Sequence, residues 1–373
     1  MRIIFIAVIC LYHLVDINGQ ECVLYGMRST VFENSENTTR IFFDRNGELY
    51  PEMDIPDKEL MENGSALQTY FSNNTSTFVE VLQAYEIHGV TDYSDAIYRK
   101  LQDAIQQRML YELHTHLTED KELFVLVHGF RKPMQSRSRS SSARADNQHV
   151  KSAISTYRPE ADIHYLEVYW DGTFISIPNS LGSLIRMGRL FKKAAIPHAT
   201  NTGLGLRSFI SKINFNKIHI VAHSLGAQVV NNCLFNANID TSMPTPIQDH
   251  ITVCLVAPAI ARKPFRRFYE RSIASNFDEN DNYHYTIIYN ERDIVIAKSN
   301  PRGKRKYRFT RFYGNTKLGC NCANEAVKVS KIFGRKYPGS QVKIVNASVV
   351  GRDHRWKAYA ASVPFKAYIE GLE

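Results

Sequence analysis

Residues 218–232, IHIVAHSLGAQVVNN, decide how the chain reads. Ile218, Ile220 and Val221 form a short apolar run with β-branched side chains, the pattern of a buried strand. The run stops at Ala222-His223-Ser224-Leu225-Gly226. Beyond it, Val229, Val230, Cys233 and Leu234 suit one face of a helix. A strand, a sharp turn with serine at its apex and then a helix are the layout of a nucleophile elbow. Such a turn strains the backbone and pushes the hydroxyl out of the sheet. Small residues are needed two before and two after the serine, because the chain crosses itself closely there. Ala222 and Gly226 occupy those places.

Upstream, Leu123 to Val127 is a continuous apolar run ending in His128-Gly129-Phe130. A strand ending in His-Gly ahead of a serine elbow is where an oxyanion hole is expected. Its donors are the backbone N–H of Phe130 and that of Leu225, just after the nucleophile. Gly129 lets the backbone approach a reacting carbonyl. His128 and His223 are expected to line the site. In a sharp turn the His223 side chain should point away from the serine.

Downstream, Ile251 to Ala257, Tyr285 to Tyr289 and Val342 to Val350 read as further strands, and Ile163 to Trp170 as one between the two motifs. Helix-like apolar positions such as Leu181, Leu184, Ile185, Leu190 and Phe191 occupy residues 174–215. This alternation predicts an α/β fold with a mainly parallel sheet and helices on both faces. Sites in such sheets sit at the carboxyl ends of the strands. His128, Ser224, Asp293 and His354 each follow a predicted strand. Ser224 as nucleophile, His354 as base and Asp293 as the orienting acid form a catalytic triad in the chain order Ser, acid, His. His284 precedes its strand, Glu291 competes with Asp293 for the acid role, and Asp353 is expected to be a neighbour only.

These segments resemble the α/β-hydrolase superfamily. The resemblance is carried by Leu123–Phe130, Val221–Gly226, Leu255–Pro258, Asn290–Asp293 and Asp353–His354, and it covers about residues 120–373. Within the superfamily the chain is most similar to a bacterial lipase/esterase-like serine hydrolase family of poorly defined function. The resemblance implies cleavage of carboxylic (acyl) esters through an acyl-enzyme, with no metal and no organic cofactor. A non-catalytic binding protein on the same fold, and an acyltransferase or peptidase using the same triad, are the rival readings. Ala222 in place of glycine is one departure. An Arg/Ser-rich insert, residues 131–150, is the other; its composition predicts a mobile loop over the site mouth.

The rest of the chain frames this domain. Residues 1–19 read as a signal peptide, with Arg2, an apolar run from Ile3 to Leu14 and Gly19 before cleavage. The expected destination is secreted or periplasmic. Residues 20–120 read as an N-terminal leader packed on the main domain of 121–373, with a strand, a turn at Asn46-Gly47 and a return over Ile41–Tyr50. Residues 51–77 read as loop, and Thr91 to Leu113 as a helix with Asp92 close to its start. The net charge of +9 draws a protein to anionic surfaces such as phospholipid head groups, acidic glycans or nucleic acid, and charge alone does not choose among them. No nucleic-acid-binding motif is present and no nucleic-acid partner is expected. Of the six cysteines, Cys10 falls in the signal segment. Cys233 and Cys254 are expected to be buried thiols, and Cys22 to pair with Cys320 or Cys322.

Overall fold

The computed structural model describes residues 35–52, 66–118, 120–130, 142–172, 190–213, 215, 217–235, 251–260, 283–296, 318–321, 324–336 and 341–372. The expected signal peptide, Cys22, Cys322 and the insert residues 131–141 lie outside them, as do the helical positions Leu181, Leu184 and Ile185.

Among the described residues seven strands form one sheet: β1 (Thr38–Phe43), β2 (Glu122–Val127), β3 (Ile163–Trp170), β4 (Ile218–His223), β5 (Ile251–Val256), β6 (Tyr283–Tyr289) and β7 (Gln341–Asn346). Their order is β1-β3-β2-β4-β5-β6-β7, and every pairing is parallel. Every residue of β2, β3 and β4 is buried, as expected of strands covered on both faces. After β2 the chain steps to β3 on one side. After β4 it steps to β5 on the other. The β2/β4 pair is therefore the point where the winding reverses, the place in such sheets where ligands bind beyond the carboxyl ends of the strands. Val127 lies opposite Ala222, which brings His128-Gly129 level with His223-Ser224.

The helices are α1 (Leu67–Asn73), α2 (Thr75–Ala84), α3 (Asp95–His116), α4 (Ala143–Tyr157), α5 (Ile196–Ile210), α6 (Gly226–Phe235), α7 (Glu325–Lys336), α8 (Trp356–Ala360) and α9 (Val363–Glu370). A π-helical turn, Phe191–Ala195, leads into α5. Helix α5 packs on α6, and α8 and α9 pack on α4. At Gly203 the first pair is so close that a Cβ would stand 2.5 Å from the Val229 carbonyl oxygen.

Several local expectations are corrected. The strand within 20–120 is β1, which joins the edge of the main sheet beside β3. Buried Glu167 of β3 fixes it, accepting from Arg40 Nε of β1 at 3.0 Å and from Tyr169 Oη at 2.7 Å. Lys151 Nζ of α4 lies 2.6 Å from the same carboxylate. The turn at Asn46-Gly47 exists, with Gly47 at φ +80°. A short return follows it, as expected: Phe43 pairs antiparallel with Leu49, the Tyr50 N–H donates to the Phe42 carbonyl at 2.9 Å and the Asp44 N–H to the Glu48 carbonyl at 2.9 Å, while the Leu49 N–H and carbonyl bond the Gln102 side chain of α3 at 2.8 and 3.0 Å. Part of the expected loop over 51–77 is helical, since α1 and α2 bury Leu67, Tyr70, Phe71, Phe78, Val81 and Leu82. Helix α3 starts at Asp95, four residues after the expected Thr91, and is capped by Ser94. Residues 143–150 belong to α4: Ser142 caps it, and Ala143, Asp146, Asn147, Val150 and Ile154 face inward. After β7 the chain leaves the strand at Asn346, whose side chain accepts the Ser348 N–H at 2.8 Å and starts a 3₁₀ turn.

Among the described residues no helix is long and apolar enough to cross a membrane. Cys233 and Cys254 are buried free thiols, as expected. Cys320 is in a disulfide, and its partner lies outside the described residues.

Candidate active site

Ser224 follows β4 directly and has φ +53°, a left-handed conformation unfavourable to a residue with a Cβ. Neighbouring backbone over-determines it. The Ser224 N–H donates to the Val256 carbonyl at 3.0 Å, and its carbonyl accepts the Ala259 N–H at 2.8 Å. Both partners belong to the end of β5 and the turn after it, so the elbow is clamped across the sheet. Gly226 lies against the end of β2; a Cβ there would stand 2.6 Å from the His128 carbonyl oxygen and 2.7 Å from that of Val127. Ala222 is fully buried with its methyl group accommodated.

His354 comes from the loop after β7. Its Nε2 lies 3.0 Å from Ser224 Oγ, and its Nδ1 lies 2.6 Å from Asp293 Oδ2. Asp293 follows β6 and is fully buried. Its Oδ1 accepts the N–H groups of Val295 at 2.8 Å and Ile296 at 3.3 Å. A carboxylate can only accept, so the Nδ1 proton is donated to Asp293 and Nε2 is left to accept from the serine. Serine, imidazole and carboxylate thus form one hydrogen-bonded line from three strand ends. This arrangement can withdraw a proton from the hydroxyl and hold the resulting imidazolium.

The segment expected to supply one oxyanion donor, Gly129–Phe130, is close by. A Cβ on Gly129 would stand 3.0 Å from Ser224 Cβ and 3.2 Å from the His223 carbonyl oxygen. The Gly129–Phe130 peptide therefore runs against the elbow. The Phe130 ring packs edge-on against Phe191 at 5.2 Å, and the Leu225 side chain is buried in the core.

His128 does not line the site with its ring. It is fully buried and stacks on Trp170 at 5.5 Å. The Trp170 N–H donates to His128 Nε2 at 3.1 Å, so the proton resides on Nδ1, which donates to the Gly129 carbonyl at 2.9 Å. Trp170 Nε1 donates to the His128 carbonyl at 2.9 Å. The residue braces the Gly129–Phe130 segment from behind. His223 likewise supports the site. Its ring stacks on Trp356 at 5.2 Å and lies 4.8 Å from the His354 ring.

The rival groups stand apart. Glu291 is exposed, and its N–H bonds Ser348 Oγ. His284 is exposed at the amino end of β6. Asp353 is engaged by Arg355 Nε at 3.0 Å, which holds its carboxyl below the usual range.

Two further residues belong to the site, neither assigned a role from the sequence. Tyr359 of α8 donates its hydroxyl to Asp293 Oδ2 at 2.8 Å. Burial, and then the Asp293 charge, push this phenol far above the ordinary tyrosine range, so it stays protonated. Asn290, at the end of β6, donates from Nδ2 to Tyr359 Oη at 3.1 Å and to the Gly351 carbonyl at 2.9 Å. Asn290 was visible as a polar residue at a strand end. Tyr359 carries no sequence signal beyond an aromatic on a helix.

Among the described residues no group of three or more His, Cys, Asp and Glu side chains could hold a metal ion. A cleft of about 510 Å³, lined by Asp120, Glu122, Arg158 and Asp162 among others, lies at the amino ends of β2 and β3, the opposite edge from Ser224. Compared with known families and with curated proteins, the chain matches no family model and no curated protein.

Proposed function

We propose that the protein is a serine hydrolase of the α/β-hydrolase type that cleaves carboxylic (acyl) esters. One observation carries the reading: the unbroken line of hydrogen bonds from Ser224 Oγ through His354 to buried Asp293. The left-handed backbone at Ser224 adds support. Strain of this kind, of order 1–3 kcal/mol, persists where surrounding structure enforces it, and it clusters at reactive sites.

In the proposed reaction Ser224 Oγ attacks the acyl carbonyl carbon while His354 Nε2 takes the hydroxyl proton. The carbonyl oxygen becomes an oxyanion facing the N–H groups of Phe130 and Leu225. Collapse of the tetrahedral intermediate expels the alcohol, which receives the proton from His354. Water then enters and attacks the acyl carbon while His354 removes its proton; collapse of the second tetrahedral intermediate breaks the bond to Ser224 Oγ, which takes the proton back from His354 as the acid leaves. Asp293 keeps the imidazole in the productive tautomer throughout.

Export to an oxidising compartment is part of the proposal. It rests on the signal-like residues 1–19 and is supported by the disulfide at Cys320. An anionic lipid surface is the proposed partner, on the basis of the net charge of +9.

A fluorophosphonate probe tests the activity. Covalent labelling of Ser224 in the wild-type protein, lost in Ser224→Ala, is expected alongside turnover of p-nitrophenyl acyl esters. Ester turnover undiminished in Ser224→Ala would overturn the reading.

A further inference from the structure

We infer that Tyr359 and Asn290 are positioning residues that set the basicity of His354 by sharing the Asp293 carboxylate with it. The inference rests on the triad reading above and adds two groups to it.

Asp293 Oδ1 is committed to two backbone N–H groups. Only Oδ2 serves the base, and it is divided between His354 Nδ1 at 2.6 Å and the Tyr359 hydroxyl at 2.8 Å. The direction of the second bond is fixed from behind. Asn290 Oδ1 accepts the Arg292 N–H at 2.9 Å, so Nδ2 faces Tyr359 and donates to its oxygen. With an oxygen lone pair of the phenol engaged, its single proton points at Asp293. All three side chains are nearly or fully shielded from water, with Asn290, Asp293 and Tyr359 each 0 % exposed. Asn290 also holds the Gly351 carbonyl, which ties the acid loop to the loop carrying His354.

A hydroxyl donated to a carboxylate draws off part of its charge. The same carboxylate stabilises the imidazolium form of His354. Tyr359 therefore weakens that stabilisation and keeps His354 easier to deprotonate, which favours the free base that accepts the serine proton. The other ionisable groups facing this unit among the described residues are few. His223 approaches from the elbow at 4.8 Å between rings, and Asp353 stands next to His354 in the chain but is paired with Arg355. Glu291 and Arg292, beside Asp293 in the chain, are exposed.

Tyr359→Phe keeps the ring that lies 6.1 Å from His223 and removes only the hydroxyl. NMR titration of the His354 imidazole in the full chain reads the effect without reference to turnover, with His354→Gln assigning the resonance. The expected result is a midpoint raised by roughly half to one pH unit, with the acid limb of ester turnover moving by the same amount. A tyrosine that only filled space would cost stability or turnover and leave the midpoint in place. A midpoint within about 0.2 unit of wild type, or one that falls, would overturn the inference. Asn290→Ala, which releases the phenol proton from its fixed direction, is expected to raise the midpoint by less. It decides the matter if Tyr359→Phe fails to fold, an unmoved midpoint again being the contrary result. A wild-type protein without ester turnover would end the hydrolase reading, yet the imidazole titrations would still be read.

Discussion

His354 Nε2 stands 3.0 Å from Ser224 Oγ although 130 residues of chain separate the two. They leave strands β7 and β4, with β5 and β6 in between. The loop after β7 therefore has to return over the sheet edge. It is anchored there by Trp356, buried and stacked on His223, the residue before the serine. A contact of this kind fixes the His354 loop relative to the elbow without engaging the His354 and Ser224 side chains themselves.

If these two groups act as one unit, removing both costs little more than removing either. Ser224→Ala and His354→Ala are each expected to abolish most ester turnover, with the double variant hardly worse. Turnover should fall as pH drops, since imidazolium cannot accept the serine proton. Steady-state kinetics with thermal melts check this. Additive losses, or melting points that collapse in either single variant, would contradict it.

Asp293→Asn tests the acid. Its Oδ1 is held by the Val295 and Ile296 N–H groups, so the substituted amide keeps its oxygen there and turns its NH₂ toward His354. That forces the proton onto Nε2, the atom needed as acceptor. A loss of about 10⁴-fold in turnover with the fold retained is expected, the scale of a wrong tautomer elsewhere. Glu291→Gln, at an exposed position, should leave turnover within a few-fold. Greater damage from Glu291→Gln would reassign the acid.

The two glycines near the elbow differ in what surrounds them. At Gly226 a Cβ meets backbone carbonyls at 2.6 and 2.7 Å, which cannot move aside. Gly226→Ala is expected to destabilise the protein by about 1–3 kcal/mol in urea unfolding. At Gly129 the nearest atom is Ser224 Cβ at 3.0 Å, so Gly129→Ala should displace the nucleophile and lower turnover more than stability. Equal effects of the two substitutions on stability would refute this distinction.

Acid sensitivity is built in at the other edge of the sheet. Glu122 is buried, which alone would raise its pKa, but His219 at 3.2 Å and the two-pronged Arg158 bring it down to about 2 from 4.5. A carboxyl with a lowered folded-state pKa stabilises the fold fully above the unfolded value. That contribution fades as pH falls from about 4.5 toward 2. Arg158→Ala should therefore move the acid-unfolding midpoint, followed by circular dichroism, to higher pH. An unmoved midpoint would count against this pair as the acid-labile element.

Thiol reactivity should divide the cysteines. Burial pushes the Cys233 thiol up to about 12 and Cys254 well above its ordinary value. Neither is expected to react with iodoacetamide in the native protein, and both should react after unfolding. A non-reduced digest should find Cys320 in a cross-linked peptide. Recovery of Cys320 as a free thiol would refute the disulfide.

Much of the carboxyl edge was legible because strand ends are marked locally. Apolar runs stop at His128, Ser224 and, after a short polar turn, Asp293, and the small residues around Ser224 announce the elbow. Tyr359 was not legible, since its role depends on Asp293, 66 residues away. Helix α4 was hidden because its first turn, capped by Ser142, shares the Arg/Ser composition of the preceding residues. Helices α1 and α2 sit in a polar region, and their apolar residues gain meaning only from the core that covers them.

The edge strand β1 sets an order on folding. Its partner is not its neighbour in sequence: Arg40 of β1 meets Glu167 of β3, 127 residues later. At ribosomal speeds of 5–20 residues per second, the second strand emerges roughly 6 to 25 s after the first. Throughout that interval Ile41, Phe42 and Phe43 have no sheet to join. Parallel pairings between such distant segments also close slowly once both are present. Among the described strands β1 is thus the one that must wait longest for its place, and a nascent chain halted before residue 170 would carry it as an open, aggregation-prone edge.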